Sequence, residues 1–158
     1  MGQQSASKVQ KGVTLIEVVV ALVVLGILLS VAVPSFQGFT ANNQLRSTAA
    51  NFVLSVNTAR SQAMNYRVAV QILPIGNDWS NGWRIRYPAG INETDQLFDV
   101  YGSTTVTIDT GTEPLTFRGD GGASGAFVFH ICSGPGSKAG REITLSPLGR
   151  ISNDDLVC

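Results

Sequence analysis

Glu17 is the one charged side chain inside the run GVTLIEVVVALVVLGILLSVAVPSF, residues 12–36. A carboxylate in such a setting can serve a proton relay or an ion path. One helix encloses no path, so that role would require partner helices. Other residue groups have the types for chemistry but the wrong surroundings. His130, Ser133 and Asp120 could form a nucleophilic triad, yet His130 alternates with Phe127, Phe129 and Ile131 and reads as an ordinary strand histidine. Gly134-x-Gly136-x-x-x-Gly140 has the outline of a phosphate loop, but it follows a strand ending in Cys132 and opens no helix. A surface turn is the better reading. Asn92-Glu93-Thr94 is a glycosylation sequon, which means nothing without a eukaryotic secretory route. With two cysteines, one histidine and no C-x-x-C spacing, a four-ligand zinc site is not expected. In an oxidising compartment Cys132 and Cys158 would instead pair as a disulfide that pins the C-terminus, contributing ~3.5 kcal/mol on the loop-entropy model. Two buried free thiols fit less well, because a last residue is seldom buried without a tether. These residues point to no enzyme, metal, cofactor or small-molecule substrate.

The elements that position these residues follow from pattern. The chain has 158 residues and balanced charge, about one domain's worth, and part of that length is the apolar run. Between Val13 and Val33 only Thr14, Glu17 and Ser30 are polar, and as a helix this stretch would span roughly 31 Å, about a bilayer core. Lys8 and Lys11 precede it and the next basic residue is Arg46, so the positive-inside rule puts the N-terminus in the cytoplasm. A cleaved secretory signal is the plain alternative, with Ser30-Val31-Ala32 as its small-x-small site. Against it stand the length of the run, the charge within it and Pro34 just past the cut.

Helical spacing continues beyond the run. Phe36, Phe39, Leu45, Phe52, Val53, Val56, Ala59, Ala63 and Met64 recur near every third or fourth residue, with polar side chains between them. One helix is expected from 14 to about 65, bent near Pro34, with this stripe packed on a globular domain. From Val68 the period becomes two, giving expected strands over 68–73, 82–87, 96–101, 105–109, 115–118, 126–132 and 142–145, and a short last one starting at 150–151. Turn clusters at 76–78, 88–90, 119–125 and 133–140 separate them. A helix followed by many short strands argues an α+β fold, with one sheet or two laid on the helix.

Gly12-Val13-Thr14-Leu15-Ile16-Glu17, after a short basic leader and before a long apolar helix, resembles the class III leader of type IV pilins and type II secretion pseudopilins. Val13 stands where phenylalanine is usual in that family. Ile143-Thr144-Leu145-Ser146-Pro147-Leu148-Gly149-Arg150-Ile151 resembles the closing segment of the GspH/FimT/FimU branch. The resemblance implies a pilin-like fold with a cleaved leader at 1–12, a membrane and filament-core helix at 13–33, an amphipathic helix half at 34–66 and a β-rich domain at 67–158. It also implies that a prepilin peptidase cuts between Gly12 and Val13 and methylates the new amine of Val13. Glu17, four residues on, can then compensate that amine in its own helix or in a neighbouring subunit. Pro34 stands where pilin helices commonly bend, and Gly26 in a segment that can loosen during assembly; with Thr14 and Glu17, Pro34 completes the expected assembly residues.

Three functions follow. The favoured one is a minor type IV pilin, anchored in the bacterial inner membrane with its C-terminal domain periplasmic, then inserted near the pilus tip beside other minor pilins and the major pilin to help start assembly. The second is the H-type minor pseudopilin of a type II secretion system. The third is a DNA-binding minor pilin, which ranks last. Gly149-Arg150-Ile151-Ser152 lacks the second arginine of the Gly-Arg-x-Arg element some relatives use, and Asp154 and Asp155 follow it. Losing Lys8 and Lys11 with the leader leaves nine basic against eleven acidic side chains, a formal charge of −2, whereas DNA affinity comes mainly from cations set against phosphates.

Overall fold

The computed structural model describes residues 14–111, 113–134 and 138–158, with the side chains of all of these except 31–35. The chain divides into two compact units, 1–37 and 38–158. Helix α1, Leu15–Tyr66, runs through both. In the first unit it begins beside Thr14, and the Glu17 N–H donates to Thr14 O at 3.1 Å and to Thr14 Oγ1 at 3.4 Å. A threonine just before the first turn takes up a donor the helix cannot satisfy itself.

In the second unit α1 buries one stripe. Leu45, Ala49, Phe52, Val56, Ala59 and Ala63 are each at most 2% exposed, and their spacings of three and four follow the helical period. Phe36, Phe39 and Met64, which the periodicity puts in the same stripe, are exposed at 71%, 65% and 42%. The buried stripe starts only at Leu45. Period alone gives the face but not where its cover begins.

The strands form two four-stranded antiparallel sheets. The first has β1 (Val70–Ile75), β2 (Asp78–Arg86), β3 (Gln96–Phe98) and β5 (Leu115–Phe117), in the order β3-β2-β1-β5. The second has β4 (Thr105–Thr110), β6 (Phe127–Cys132), β7 (Ala139–Leu145) and β8 (Ile151–Val157), in the order β4-β6-β7-β8. This is the two-sheet alternative of the expected α+β layout. Phe52 of α1 packs edge-on to Trp79 and Trp83 and lies 4.5 Å from the Phe129 ring, so one helix residue meets both sheets. Such ring pairs add about 0.5–1.5 kcal/mol each beyond their buried area. Two polar groups of the core, on Trp83 and Ser55, satisfy one another. Trp83 Nε1 donates to Ser55 Oγ at 2.8 Å, and the Ser55 hydroxyl donates to Phe52 O at 2.7 Å.

β1 is shifted two residues on from expectation, β3 ends three residues early at Phe98, β7 begins three residues early at Ala139 inside the expected turn, and two strands differ more. Gly76 and Asn77 both have positive φ, so the β1–β2 turn is tight and β2 starts at Asp78, four residues before the expected Gly82. Pairing jumps from Pro74↔Trp83 to Ile75↔Asp78, leaving residues 79–82 as a wide bulge. The bulge crosses to the other sheet: Val106 N–H donates to Ser80 Oγ at 3.1 Å, and that hydroxyl donates to Val106 O at 3.3 Å. The last strand is also longer than its residues suggest, because β8 pairs with β7 along its whole length, from Leu145↔Ile151 to Ala139↔Val157.

Candidate functional site

The first unit offers its surface rather than a cavity. From Leu15 to Leu29 the large apolar side chains are all exposed, Leu15 at 82% and Leu28 at 61% among them, and they point to every side of the helix. A helix that is apolar all round needs apolar surroundings, and the described residues of this chain supply none. Glu17 lies within this surface, exposed, and its carboxylate has no partner among the described residues. Thr14 and Glu17 come together only through the helix-start hydrogen bonds. That contact was missed in the sequence, although Thr14-Leu15-Ile16-Glu17 has the T-x-x-E spacing of a capping box. Gly12 and Val13 lie outside the described residues, as does the Pro34 side chain. A Cβ on Gly26 would meet nothing within 4 Å, so none of the described residues packs against that point. No helix among the described residues is long and apolar enough to cross a membrane; of the expected 13–33 segment, the side chains described are those of 14–30.

In the second unit the two cysteines are joined, and register explains how. Cys132 lies opposite Gly140 in the β6–β7 pair, and Gly140 lies opposite Leu156 in the β7–β8 pair. The disulfide from Cys158 to Cys132 therefore passes over the middle strand at Gly140. A Cβ there would stand 2.2 Å from Cys158 Sγ. The phosphate-loop outline of the sequence thus ends in a glycine kept small by a disulfide, and it opens strand β7 rather than a helix. The triad residues do not meet. His130 Nε2 faces Glu142 Oε2 at 3.2 Å, the Ser133 hydroxyl donates to Ala139 O at 3.0 Å, and Asp120 Oδ1 accepts from Gly122 N–H at 2.8 Å. No metal-holding group of His, Cys, Asp or Glu occurs among the described residues.

A polar clamp ties the closing segment to the helix. Arg60 projects from α1, donating through Nε to Gly121 O at 2.9 Å, through Nη1 to Gly149 O at 3.1 Å and through Nη2 to Leu148 O at 3.3 Å. The fixed fork of a guanidinium suits such convergent acceptors. Ser146 N–H donates to Arg150 O and Gly149 N–H to Ser146 O, which folds 146–150 into a tight turn. Gly149 has φ +76°, and a Cβ there would come 2.6 Å from Gly121 O. A glycine is required on both counts. The neighbouring loop is held by Asp120, whose carboxyl lies below its usual range because it accepts the Gly122 N–H and faces Arg118, which together outweigh the opposing effect of burial. In the sequence Arg60 is one of the polar side chains between the apolar positions of the helix. Nothing local marks it otherwise, since its three acceptors are backbone atoms more than sixty residues away.

The family profile described as Type II transport protein GspH matches residues 48–149, and that of the prokaryotic N-terminal methylation motif matches residues 7–33. The chain belongs to the GspH family. The match to the GspH profile runs from the buried helix stripe to the glycine of the clamp, so it covers the parts that hold the β domain on α1. A curated fimbrial protein of Pseudomonas aeruginosa is 39% identical over 57 residues, and this match spans 36% of the chain and 36% of that relative's length. Among solved structures, the type IV minor pilin FimU of Pseudomonas aeruginosa is similar at TM-score 0.62 and 28% identity, over 73% of this chain and 92% of that one. The minor pseudopilin EpsH from the type 2 secretion system of Vibrio cholerae shares the fold at TM-score 0.56 and 10% identity, over 71% and 97% of the two chains. This GspH-family chain thus has the pilin-like arrangement of a long N-terminal helix with an apolar first part and a two-sheet β domain on the second.

Proposed function

We propose that the chain is a minor type IV pilin. On this reading a prepilin peptidase cuts between Gly12 and Val13 and methylates Val13. The subunit waits in the inner membrane with its N-terminus cytoplasmic and its β domain periplasmic, then enters the filament near its tip and helps start assembly beside other minor pilins and the major pilin. The observation that carries this reading is an apolar helix exposed on all sides, inside the segment matched by the methylation motif. Its surface suits lipid before assembly and neighbouring helices after it. The likeness to the minor pilin FimU favours the pilus. Glu17 supplies register: an acid in a membrane helix costs about 2.5–3.5 kcal/mol on insertion scales, and the methylated amine of a neighbouring Val13 relieves that cost only when subunits dock in step.

Intact-mass analysis of the mature chain tests the processing. The expected product begins at Val13 and carries one added methyl group, whereas a start at Val33 would mean signal-peptidase cleavage and end the proposal. Glu17→Val tests the pairing. It should insert in the membrane at least as well as the parent, since it makes the helix more apolar, and should be depleted from sheared filaments by about tenfold or more; incorporation at the parental level would remove Glu17 from assembly.

The second reading, an H-type minor pseudopilin, is favoured by the match to the type II transport protein GspH family. Both machines would use the same leader and helix. Deleting the gene separates them, since surface pili should fall in one case and secretion through the outer membrane in the other. DNA binding gains little support from the arginines of the closing segment, because Arg60 is committed to backbone carbonyls and Arg150 stands with Asp154 and Asp155 close behind.

A further inference from the structure

Strand β8 is the outer strand of its sheet, so one of its edges is unpaired among the described residues. Which backbone groups that edge presents can be read from register. Ser146 N–H donates to Arg150 O, and Cys158 N–H donates to Lys138 O, at the two ends of the β7–β8 pair. Antiparallel partners alternate between hydrogen-bonded and non-hydrogen-bonded pairs. The even-numbered residues from Arg150 to Cys158 therefore turn their N–H and C=O groups to β7. Ile151, Asn153, Asp155 and Val157 turn theirs outward.

The two halves of this edge are treated differently. Around 155 it carries Asp154 and Asp155, with Asp155 Oδ1 2.9 Å from Arg141 Nη1, and charge on an edge discourages further pairing. Residues 151–153 themselves carry no acid. Here the edge borders a groove of about 600 Å³, walled on the helix side by Ala50, Val53 and Asn57 and at its end by Arg60 and Arg150. None of the residues lining it is acidic. The Arg150 side chain is exposed, and its guanidinium has no partner among the described residues.

We propose that this groove receives an extended, carboxylate-bearing segment of a neighbouring subunit, which adds to the sheet as a further strand beside Ile151 and Asn153 and sets an acidic side chain against Arg150. An extended segment fits because strand addition supplies main-chain partners for an open edge, which a helix cannot do. An acidic one fits because the charges of the groove are both positive. A second copy of β8 in parallel register would bring Asp154 and Asp155 of both chains together, and like charges on paired strands oppose pairing; an antiparallel copy would show in the test below as a crosslink to this same chain. The identity of the partner as a filament subunit rests on the function proposed above; the shape and charge of its segment do not.

The test uses the full chain in its own cells. Asn57→p-benzoylphenylalanine places a photoreactive group in the groove, and Thr107→p-benzoylphenylalanine, on the far edge strand β4, serves as control. Asn57 is expected to crosslink to an extended stretch of another subunit bearing Asp or Glu, and Thr107 is not. Two substitutions then read incorporation into sheared filaments. Asn153→Pro removes an outward N–H without touching the β7 ladder, a place where an edge strand tolerates proline. Arg150→Glu reverses the exposed charge. Each should lower incorporation about tenfold, as for an interface that loses one hydrogen bond or meets one repulsive charge, with the Cys132–Cys158 disulfide still formed. If Asn153→Pro prevents the disulfide, Arg150→Glu decides alone. Parental incorporation of the variants, or crosslinks from Asn57 only to a second copy of this chain, to a helix or to nucleic acid, would overturn the proposal. Should the parent chain never enter filaments, the functional reading fails, and the Asn57 crosslink in the membrane fraction still decides what the groove binds.

Discussion

The first part of α1, from Leu15 to Leu29, and the later part, from Leu45 to Ala63, share one backbone geometry and differ in what surrounds them. The later part buries a single stripe and turns Asn57 and other polar residues outward. The earlier part is apolar on every side and buries none of its large apolar side chains within the described chain. The difference lies in composition around the helix rather than in helix-forming tendency. A stripe specifies a partner within the same chain. An all-round apolar surface specifies lipid or other helices, and so leaves the fold of the β domain free of it.

That contrast predicts a large effect in one part and none in the other. Phe52→Ala removes a ring that touches Trp79, Trp83 and Phe129, and should destabilise the β domain by about 3–5 kcal/mol in chemical denaturation. Leu22→Ala, at a site 61% exposed, should leave that transition unmoved while the chain is kept in detergent. If Leu22→Ala shifted the midpoint as Phe52→Ala does, the two parts would not be independent.

A smaller effect comes from the disulfide crossing. Gly140→Ala puts a methyl group where Cys158 Sγ must pass, so the cystine should fail to close or β8 should be displaced. The expected loss is about 2–5 kcal/mol, that of removing a native disulfide from a small domain. Thiol trapping without reductant should find free cysteines in the variant and none in the parent. Cys158→Ser should match Gly140→Ala in stability, and adding Gly140→Ala to it should cost little more, because both remove the same link.

The sequence made one part of this molecule legible and hid another for the same kind of reason. The helix stripe from Leu45 onward, the strands β4, β5 and β6, and the cysteine pair all announce themselves through local period or residue type. The first residues of β2 and most of β8 do not. Asp78, Ser80 and Asn81 have the types that make turns, and Asn153, Asp154 and Asp155 are poor strand formers, so their extended state comes from pairing with the preceding strands β1 and β7 and, at Ser80, from Val106 rather than from their own residue types. In the candidate assembly region, the apolar surface and Glu17 are plain in the sequence. The Arg60 clamp is not, because an arginine that binds backbone carbonyls leaves no trace at the positions it binds.

Breaking that clamp should have a moderate effect. Arg60→Met keeps much of the stem and removes three donors, leaving the carbonyls of Gly121, Leu148 and Gly149 to water. A loss of about 1–3 kcal/mol is expected, together with faster hydrogen exchange in 146–150. An unchanged exchange rate there would show that the turn holds its own shape.

The smallest effect belongs to Asp120, which sharpens the clamp rather than breaking it. Its carboxylate accepts the Gly122 N–H at 2.8 Å and faces Arg118, and so fixes the loop that offers Gly121 O to Arg60. The folded state holds this carboxyl below its usual range, first through the Gly122 hydrogen bond and then through the Arg118 charge. The unfolded chain therefore takes up the proton at higher pH than the folded one. It follows that the stabilisation is complete above the ordinary carboxylate range and is lost as pH falls through the depressed value of the folded state. Asp120→Asn can still accept the Gly122 N–H through its side-chain oxygen, so the loop should keep its shape while the pH dependence goes. The check is stability against pH below 5 for parent and variant: the parental curve should fall more steeply, by a small margin because the group is exposed to solvent. Parallel curves would mean that Asp120 has the same proton affinity folded and unfolded, and that the loop is held by Arg118 and the backbone alone.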